Sequence, residues 1–177
     1  MKKTFLKYVL SAFALGCLGL FIIACGTKGP KWVEFRPDGG GCVIQMPGVP
    51  QKINPKYELW SYKDEAGHIY SLGYSDSAYN PGDPEKLFGD LITNIPAGDK
   101  IINTKRLTYK GCPVIEYEES NGRGDDVWMR CYMLKNRMYY VSLDGITTNA
   151  KALKDNPPFD LGKTANRYFG TFQFVSQ

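Results

Sequence analysis

Residues 100–143 read KIINTKRLTYKGCPVIEYEESNGRGDDVWMRCYMLKNRMYYVSL, and this stretch decides the fold. Three turn signals interrupt it, at 110–113 (KGCP), 120–125 (SNGRGD) and 135–137 (KNR). Between the last two turns the side chains alternate at period two, Val127, Met129, Cys131 and Met133 against Trp128, Arg130 and Tyr132. This spacing predicts four consecutive antiparallel strands, over 100–109, 113–119, 126–134 and 138–143.

The segment before this meander predicts further strands. A short first strand at 31–35 is followed by a glycine turn at 36–41 (RPDGGG) and an apolar strand, Cys42–Met46. The stretches 56–62 and 68–74 show aromatic residues at period two around the polar turn KDEAG, so they predict a hairpin.

Two helices complete the prediction. Asp83-Pro84-Glu85 is typical of a helix start, and an apolar stripe follows it at helical spacing: Leu87, Phe88, Leu91, Ile92 and Ile95. A second helix is predicted over 160–169, capped by Asp160, and a last strand over 170–175. The fold class is therefore α+β, a largely antiparallel, meander-rich twisted sheet with about two helices packed on it.

The N-terminal segment predicts export. Three lysines precede an apolar run over 8–24, which is the pattern of a signal peptide. The run Ile22-Ile23-Ala24-Cys25-Gly26 resembles the lipobox of bacterial lipoproteins, and this resemblance implies acyl chains on Cys25. Cys17 is a second, weaker candidate, and an uncleaved anchor or an ordinary signal peptide are the alternatives.

This interpretation divides the chain into a signal peptide (1–24), a lipidated tether (25–31) and a single α+β domain (32–177). The protein is then exported and held by lipid on a bacterial membrane, either the outer membrane or the cell membrane, at its periplasmic or external face. The net charge of the 177-residue chain falls from +4 to +1 without the prefix, because the prefix holds three lysines and no acid. A charge of +1 gives no electrostatic reason to expect a nucleic-acid partner.

Three cysteines remain in the domain: Cys42, Cys112 and Cys131. Cys112 and Cys131 fall on predicted neighbouring strands, so they are candidates for a disulfide, with three small buried thiols as the alternative. The spacings lack the paired cysteines of a zinc site, and His68 is the only histidine. We therefore predict no metal and no cofactor.

The sequence offers no catalytic constellation. No nucleophile can be placed beside His68, and Ser61 and Ser142 lie in predicted strands rather than in a nucleophile elbow. Glu116 and Glu118 share one face of a strand, and we interpret them as a solvated strand face rather than as paired carboxylates for acid–base chemistry. We expect a protein that is not an enzyme.

Aromatic residues are concentrated between positions 57 and 79. Trp60, Tyr62, Tyr70 and Tyr74 are candidates for a binding groove, since rings with polar tips suit partner surfaces. The alternative is that these rings cover the sheet as part of the core.

The order of these elements is similar to that of the PsbP-like α/β/α sandwich. The similarity rests on the glycine turn and strand ending in Pro-Gly (Gly39–Gly48), the amphipathic helix (Asp83–Ile95) and the closing Phe-Gln-Phe (Phe172–Phe174). It implies an antiparallel sheet with helices on its faces and a role in binding partners or assisting assemblies. The expected function is a non-catalytic binding or accessory domain for a protein partner. A carrier for a small apolar ligand such as a lipid is the alternative, and an enzyme of unrecognised type is third.

Overall fold

The computed structural model describes residues 31–53, 55–56, 58–76, 83–120, 125–146 and 161–175, with the backbone alone at residues 125 and 146. The chain divides into two compact units, residues 1–31 and 32–177, and the second holds the elements of the fold. The predicted signal peptide, the lipobox with Cys25, and the helix cap at Asp160 lie outside the described residues. No helix within the described ranges is both long and apolar enough to span a bilayer.

The described part of the domain is built from ten strands and two helices. In chain order these are β1 (Val33–Phe35), β2 (Cys42–Met46), β3 (Gln51–Lys52), β4 (Leu59–Lys63), β5 (Ile69–Asp76), α1 (Pro84–Thr93), β6 (Lys100–Tyr109), β7 (Cys112–Ser120), β8 (Asp125–Leu134), β9 (Arg137–Ile146), α2 (Leu161–Gly170) and β10 (Gln173–Phe174). A seven-stranded antiparallel sheet has the order β3-β4-β5-β9-β8-β7-β6, and a three-stranded sheet has the order β1-β2-β10. The predicted α+β class with a largely antiparallel, meander-rich sheet is confirmed.

The meander is confirmed as the neighbouring strands β6 to β9. Two-residue turns, Lys110-Gly111 and Lys135-Asn136, join β6 to β7 and β8 to β9, so β7 and β9 each begin one residue earlier than predicted. β9 also pairs along the whole of β5, from Ile69↔Asp144 to Asp76↔Arg137. This long-range pairing joins the early hairpin to the meander and makes one sheet of both.

The short elements differ most from prediction. The helix start is confirmed, because the Asp83 carboxylate accepts a hydrogen bond from the Lys86 N–H at 2.9 Å, but α1 ends at Thr93 and does not reach Ile95. The last strand is only two residues long. The two-residue β3 was not predicted, because so short a segment has no measurable periodicity.

Each face of the large sheet is covered by a different layer. Alternate residues of a strand point to opposite faces, and neighbouring residues of β8 therefore belong to different cores. Tyr132 packs in a core with Tyr168 of α2 and Ile44 of β2, whereas Cys131 packs with Phe88 of α1. The sheet thus lies between α1 on one side and α2 with the three-stranded sheet on the other.

β6 is an edge strand of ten residues, and most of its side chains are exposed. It contains three cations, Lys100, Lys105 and Arg106, and no acid. Its pairing with β7 is regular except for a register shift between Ile101 and Asn103. Two of the cations have acidic partners. Lys105 lies 3.6 Å from the buried carboxylate of Glu116, and Arg106 donates to Glu85 of α1 at 3.0 Å.

Gly73 lets an aromatic ring lie flat on the middle of the sheet. Gly73 is paired with Tyr140 of β9. A Cβ added at residue 73 would clash with the Tyr140 ring, since it would lie 2.7 Å from Cδ2 of that ring. It would also lie 3.0 Å from Cδ1 of Leu59. A side chain at this position therefore has to displace the ring. Gly89 in α1 differs, because a Cβ there meets nothing within 4 Å.

We predict opposite effects of alanine at these two glycines. Gly73→Ala should lower the free energy of unfolding by about 1–3 kcal/mol, because overpacking forces Tyr140 out of place. Gly89→Ala should raise it by about 0.5–1 kcal/mol, because alanine is the better helix former. Urea denaturation of the purified protein measures both. Equal shifts of the same sign would contradict the packing at Gly73.

Candidate functional site

The aromatic residues predicted as a groove are placed in the core. Trp60, Tyr70 and Tyr74 are each at most 9% exposed, and Tyr62 is half-buried against the same cluster. The Trp60 and Tyr74 rings stack at 5.9 Å, and the Tyr70 ring meets that of Tyr168 edge-on at 5.3 Å. Trp60, Tyr70 and Tyr74 therefore present no open face to a partner, because α2 and the small sheet cover this side of the large sheet. Tyr62 alone of the four lines an open pocket, of about 460 Å³, with Val49 and Ile53.

The disulfide between Cys112 and Cys131 is not formed; both thiols and that of Cys42 are free and buried. The strand register gives the reason. Cys131 is directly opposite Ile115, so it shares a face with odd-numbered residues of β7, whereas Cys112 has the opposite parity. The two side chains therefore point to opposite faces of the sheet.

The remaining sequence candidates have structural partners. His68 is buried in the β4–β5 turn, where its Nδ1 lies 2.9 Å from the Asp64 carboxylate and its backbone N–H donates to the same group at 2.8 Å. Glu116 and Glu118 share a face as predicted, but Glu116 is 4% exposed and bound by Arg130 on the next strand. Among the described residues no cluster of three His, Cys, Asp or Glu side chains is arranged to hold a metal ion.

A polar cleft of about 650 Å³ opens at one end of the large sheet. The turns Lys110-Gly111 and Lys135-Asn136 form one wall, because alternate turns of an antiparallel meander fall at the same end of the sheet. The end of β5 at Asp76, Gly41 directly before β2, and the end of β10 with Val175 complete it. The described residues that line it are Gly41, Asp76, Lys110, Cys112, Leu134, Lys135, Asn136, Arg137, Tyr139, Phe174 and Val175.

Arg137 fixes the base of this cleft. Its guanidinium makes a bidentate contact with Asp76, at 2.6 and 3.0 Å, and donates to the backbone carbonyls of Gly39 at 2.6 Å and Gly40 at 3.3 Å. The same group lies over the Tyr74 ring at 4.6 Å. The hydrogen bonds between the two groups raise the pKa of Arg137 and lower the pKa of Asp76, so the pair stays charged at neutral pH.

Two tyrosines hold the glycine turn against the sheet beside this arginine. The Tyr139 hydroxyl donates to the carbonyl of Gly40 at 2.8 Å, and the Tyr74 hydroxyl donates to that of Asp38 at 2.7 Å. The predicted turn at 36–41 is therefore part of the cleft, and Gly39 and Gly41 adopt the positive φ angles of 69° and 64° that it requires.

Lys110 and Lys135 have an unusual backbone conformation. Their φ angles are 49° and 56°, and they are the only non-glycine residues with positive φ in the described part of the chain. This conformation costs an L-residue roughly 1–2 kcal/mol, and glycine or asparagine avoids most of that penalty. Each of these turns therefore carries a lysine at a position where glycine or asparagine would be less strained.

The cleft has an excess of positive charge above an apolar floor. Of the described lining residues three are cations and one, Asp76, is an acid, and Asp76 is already bound by Arg137. Leu134, Tyr139 and Phe174 supply apolar surface. The described lining includes no histidine or serine, and burial raises the pKa of the Cys112 thiol. The arrangement is suited to holding an anionic group with an apolar body.

A second groove of about 410 Å³ lies between α1 and the opposite face of the sheet. Its lining is mainly apolar and includes Leu91, Ile95, Met129 and Met138, with the acids Asp90 and Glu119 beside them. Burial and a hydrogen bond with Asp99 raise the pKa of Glu119.

Sequence reasoning recognised both lysine turns but did not bring them together. The available signal was a lysine at the first position of two turns in consecutive hairpins of one meander. The hydrogen bonds from Arg137 and Tyr139 to the glycine turn, here called the Arg137 clamp, gave no such signal in the sequence. Both residues lie about a hundred residues from the carbonyls that they bind.

The domain has the PsbP-like fold. It is similar to the solution structure of cyanobacterial PsbP (CyanoP) from Synechocystis sp. PCC 6803, with a TM-score of 0.56 and 11% sequence identity over 85% of this chain and 97% of that chain. A Pseudomonas aeruginosa protein of unknown function matches with a TM-score of 0.42 and 10% identity over 70% of this chain and 89% of that chain, which is too low to compare folds. No protein-family model and no curated protein matches the sequence.

We predict that the three thiols of the domain react slowly in the native protein. Burial raises the pKa of Cys42 and Cys131 to about 12, and that of Cys112 rises as well, so little reactive thiolate exists at neutral pH. Iodoacetamide at pH 7.5, followed by mass analysis of the peptides that hold Cys42, Cys112 and Cys131, should label none of them before denaturation and all three after it, without a reductant. Only one of these three peptides labelled after denaturation, with the other two linked at a mass two units below their sum, would reveal a disulfide.

Proposed function

We propose that this protein is an exported bacterial lipoprotein, anchored by acyl chains on Cys25, whose PsbP-like domain is a non-catalytic binding module. The observation that supports the binding role most is the cleft between the two lysine turns. It is open, positively charged and fixed at its base by the Arg137 clamp, and a volume of about 650 Å³ is in the range of ligand sites.

The chemistry of the cleft favours binding over catalysis. A nucleophile needs an adjacent base, and the described lining offers a buried thiol of raised pKa beside no histidine. The one histidine, His68, lies in the β4–β5 turn, at the other end of β5 from Asp76. The proposed occupant is therefore a protein partner that presents anionic groups to the cleft, or another anionic ligand.

A carrier for an apolar ligand is the second candidate. The groove between α1 and the sheet supports it, because methionine and leucine line it and methionine adapts to varied apolar shapes. The groove is separate from the cleft, since α1 covers the face opposite to α2.

We predict that Cys25→Ser abolishes acylation and releases the protein from the membrane fraction, because two or three acyl chains give an anchor that one chain does not. Metabolic labelling with an alkyne palmitate measures the first effect, and fractionation measures the second. Cys17→Ser is the matched control and should keep both label and location. Label that persists on Cys25→Ser and disappears from Cys17→Ser would move the anchor to Cys17.

We also predict which surface meets the partner. A photo-crosslinking amino acid at Asn136 in the cleft should give a discrete higher-mass adduct in intact cells, because this exposed residue lines the site. The same amino acid at Lys63, which is exposed at the opposite end of the sheet, should give none.

A third position separates the two candidate functions. Crosslinker at Met138 reports on the apolar groove. Lipid adducts at Met138 with no adduct at Asn136 would replace the binding module by the carrier, and absence of adducts at both would refute both.

A further inference from the structure

The cleft lies at the far end of the domain from the point where the chain enters it. The domain begins at Trp32, whose ring packs edge-on against Tyr70 at 5.9 Å. Tyr70 is near the start of β5, and Asp76 at the end of the same strand lines the cleft. Six residues of β-strand span about 20 Å.

If Cys25 bears the lipid, the extended tether of residues 25–31 reaches at most about 25 Å. This reach exceeds the length of β5 between Tyr70 and Asp76, so the anchor leaves both an anionic membrane and a protein within reach of the cleft. The chemistry of the cleft walls therefore decides between them.

Charge decides the chemistry of the occupant. Arg137 is committed to Asp76 and to two carbonyls. The Lys110 ammonium lies over the Tyr109 ring at 5.6 Å, a contact that does not neutralise its charge. Lys110 and Lys135 are therefore the cations left to face a ligand. Electrostatic complementarity to these two lysines favours a ligand with carboxylates over a neutral or basic segment.

The wall of the cleft formed by β10 and Val175 favours a ligand in an extended conformation. β10 is an edge strand of the small sheet, and within the described ranges only β2 pairs with it. Phe174 of this strand and the following Val175 line the cleft, so a peptide lying between the lysine turns also lies along a strand edge. Strand edges bind extended peptides through main-chain hydrogen bonds.

We infer that the cleft binds an extended acidic segment of a protein partner. This inference rests on the proposed function and names its ligand class. The carboxylates meet Lys110 and Lys135, apolar side chains of the segment contact Leu134 and Phe174, and its main chain follows β10.

The test uses the full lipidated protein in phosphatidylcholine nanodiscs. The probe is a fluorescein-labelled peptide of alternating glutamate and valine, and its lysine–valine counterpart is the control peptide. Fluorescence anisotropy should show binding of the acidic peptide alone. Raising NaCl from about 50 to about 300 mM should weaken it, because screening acts on exposed charges.

Two pairs of variants separate local charge from net charge. Lys110→Gln with Lys135→Gln should weaken binding about tenfold, whereas Lys63→Gln with Lys100→Gln, which removes the same charge at the other end of the sheet, should change it less than about twofold. Lys110→Gly with Lys135→Gly gives the same loss in a protein whose turns are relieved of strain, so unfolding cannot explain the result.

Other outcomes overturn the inference in distinguishable ways. Failure of the acidic peptide to bind, with the Asn136 adduct still present in cells, rejects the acidic ligand and leaves the binding module standing. Loss of both rejects both. Flotation with vesicles of phosphatidylglycerol and phosphatidylcholine that depends on Lys110 and Lys135, without peptide binding, replaces the acidic segment by an anionic membrane.

Discussion

The structure depends on how the backbone carbonyls of residues 38–40 are satisfied. Tyr74 and Tyr139 donate hydroxyl hydrogen bonds to this turn, and Arg137 donates two more from its guanidinium. A partly buried carbonyl without a donor would cost about 1–3 kcal/mol, so these bonds hold the glycine turn in place. Through that turn they fasten the three-stranded sheet to the large sheet, and they leave the lysine turns standing over a rigid base.

The elements that depend on local pattern were predictable from the sequence. The stripe from Leu87 to Ile92 has the period of a helix, and the alternation after Val127 has the period of a strand, so α1 and the meander follow directly. The pairing of β5 with β9 could not be predicted from the sequence, because the register between distant strands is set by the packing of both faces of the sheet. The sandwich was accessible only through the likeness of element order to a known fold.

In the candidate site, too, the sequence pattern predicted local features of single side chains but not their tertiary surroundings. The parity of Trp60, Tyr70 and Tyr74 was correct, but parity does not say what covers a face, and here α2 arrives about a hundred residues later along the chain. The prediction that Cys112 and Cys131 lie on neighbouring strands was correct. Their side chains nevertheless point to opposite faces of the sheet, so the thiols stay apart. The lysine turns were recognised as turns, whereas their left-handed φ angles depend on the twist of the finished hairpins.

The edge strand β6 has a consequence for a chain held on a membrane as proposed here. Lipid anchoring confines copies to a plane, where lateral crowding brings the sides of neighbouring domains together far more often than free diffusion does. Two β6 strands meeting edge to edge would bring together strands that carry three cations and no acid, although Glu116 and Glu85 bind two of these cations, Lys105 and Arg106. The register shift near Ile101 also interrupts a flat edge. Both features disfavour a continuous intermolecular sheet on a crowded surface.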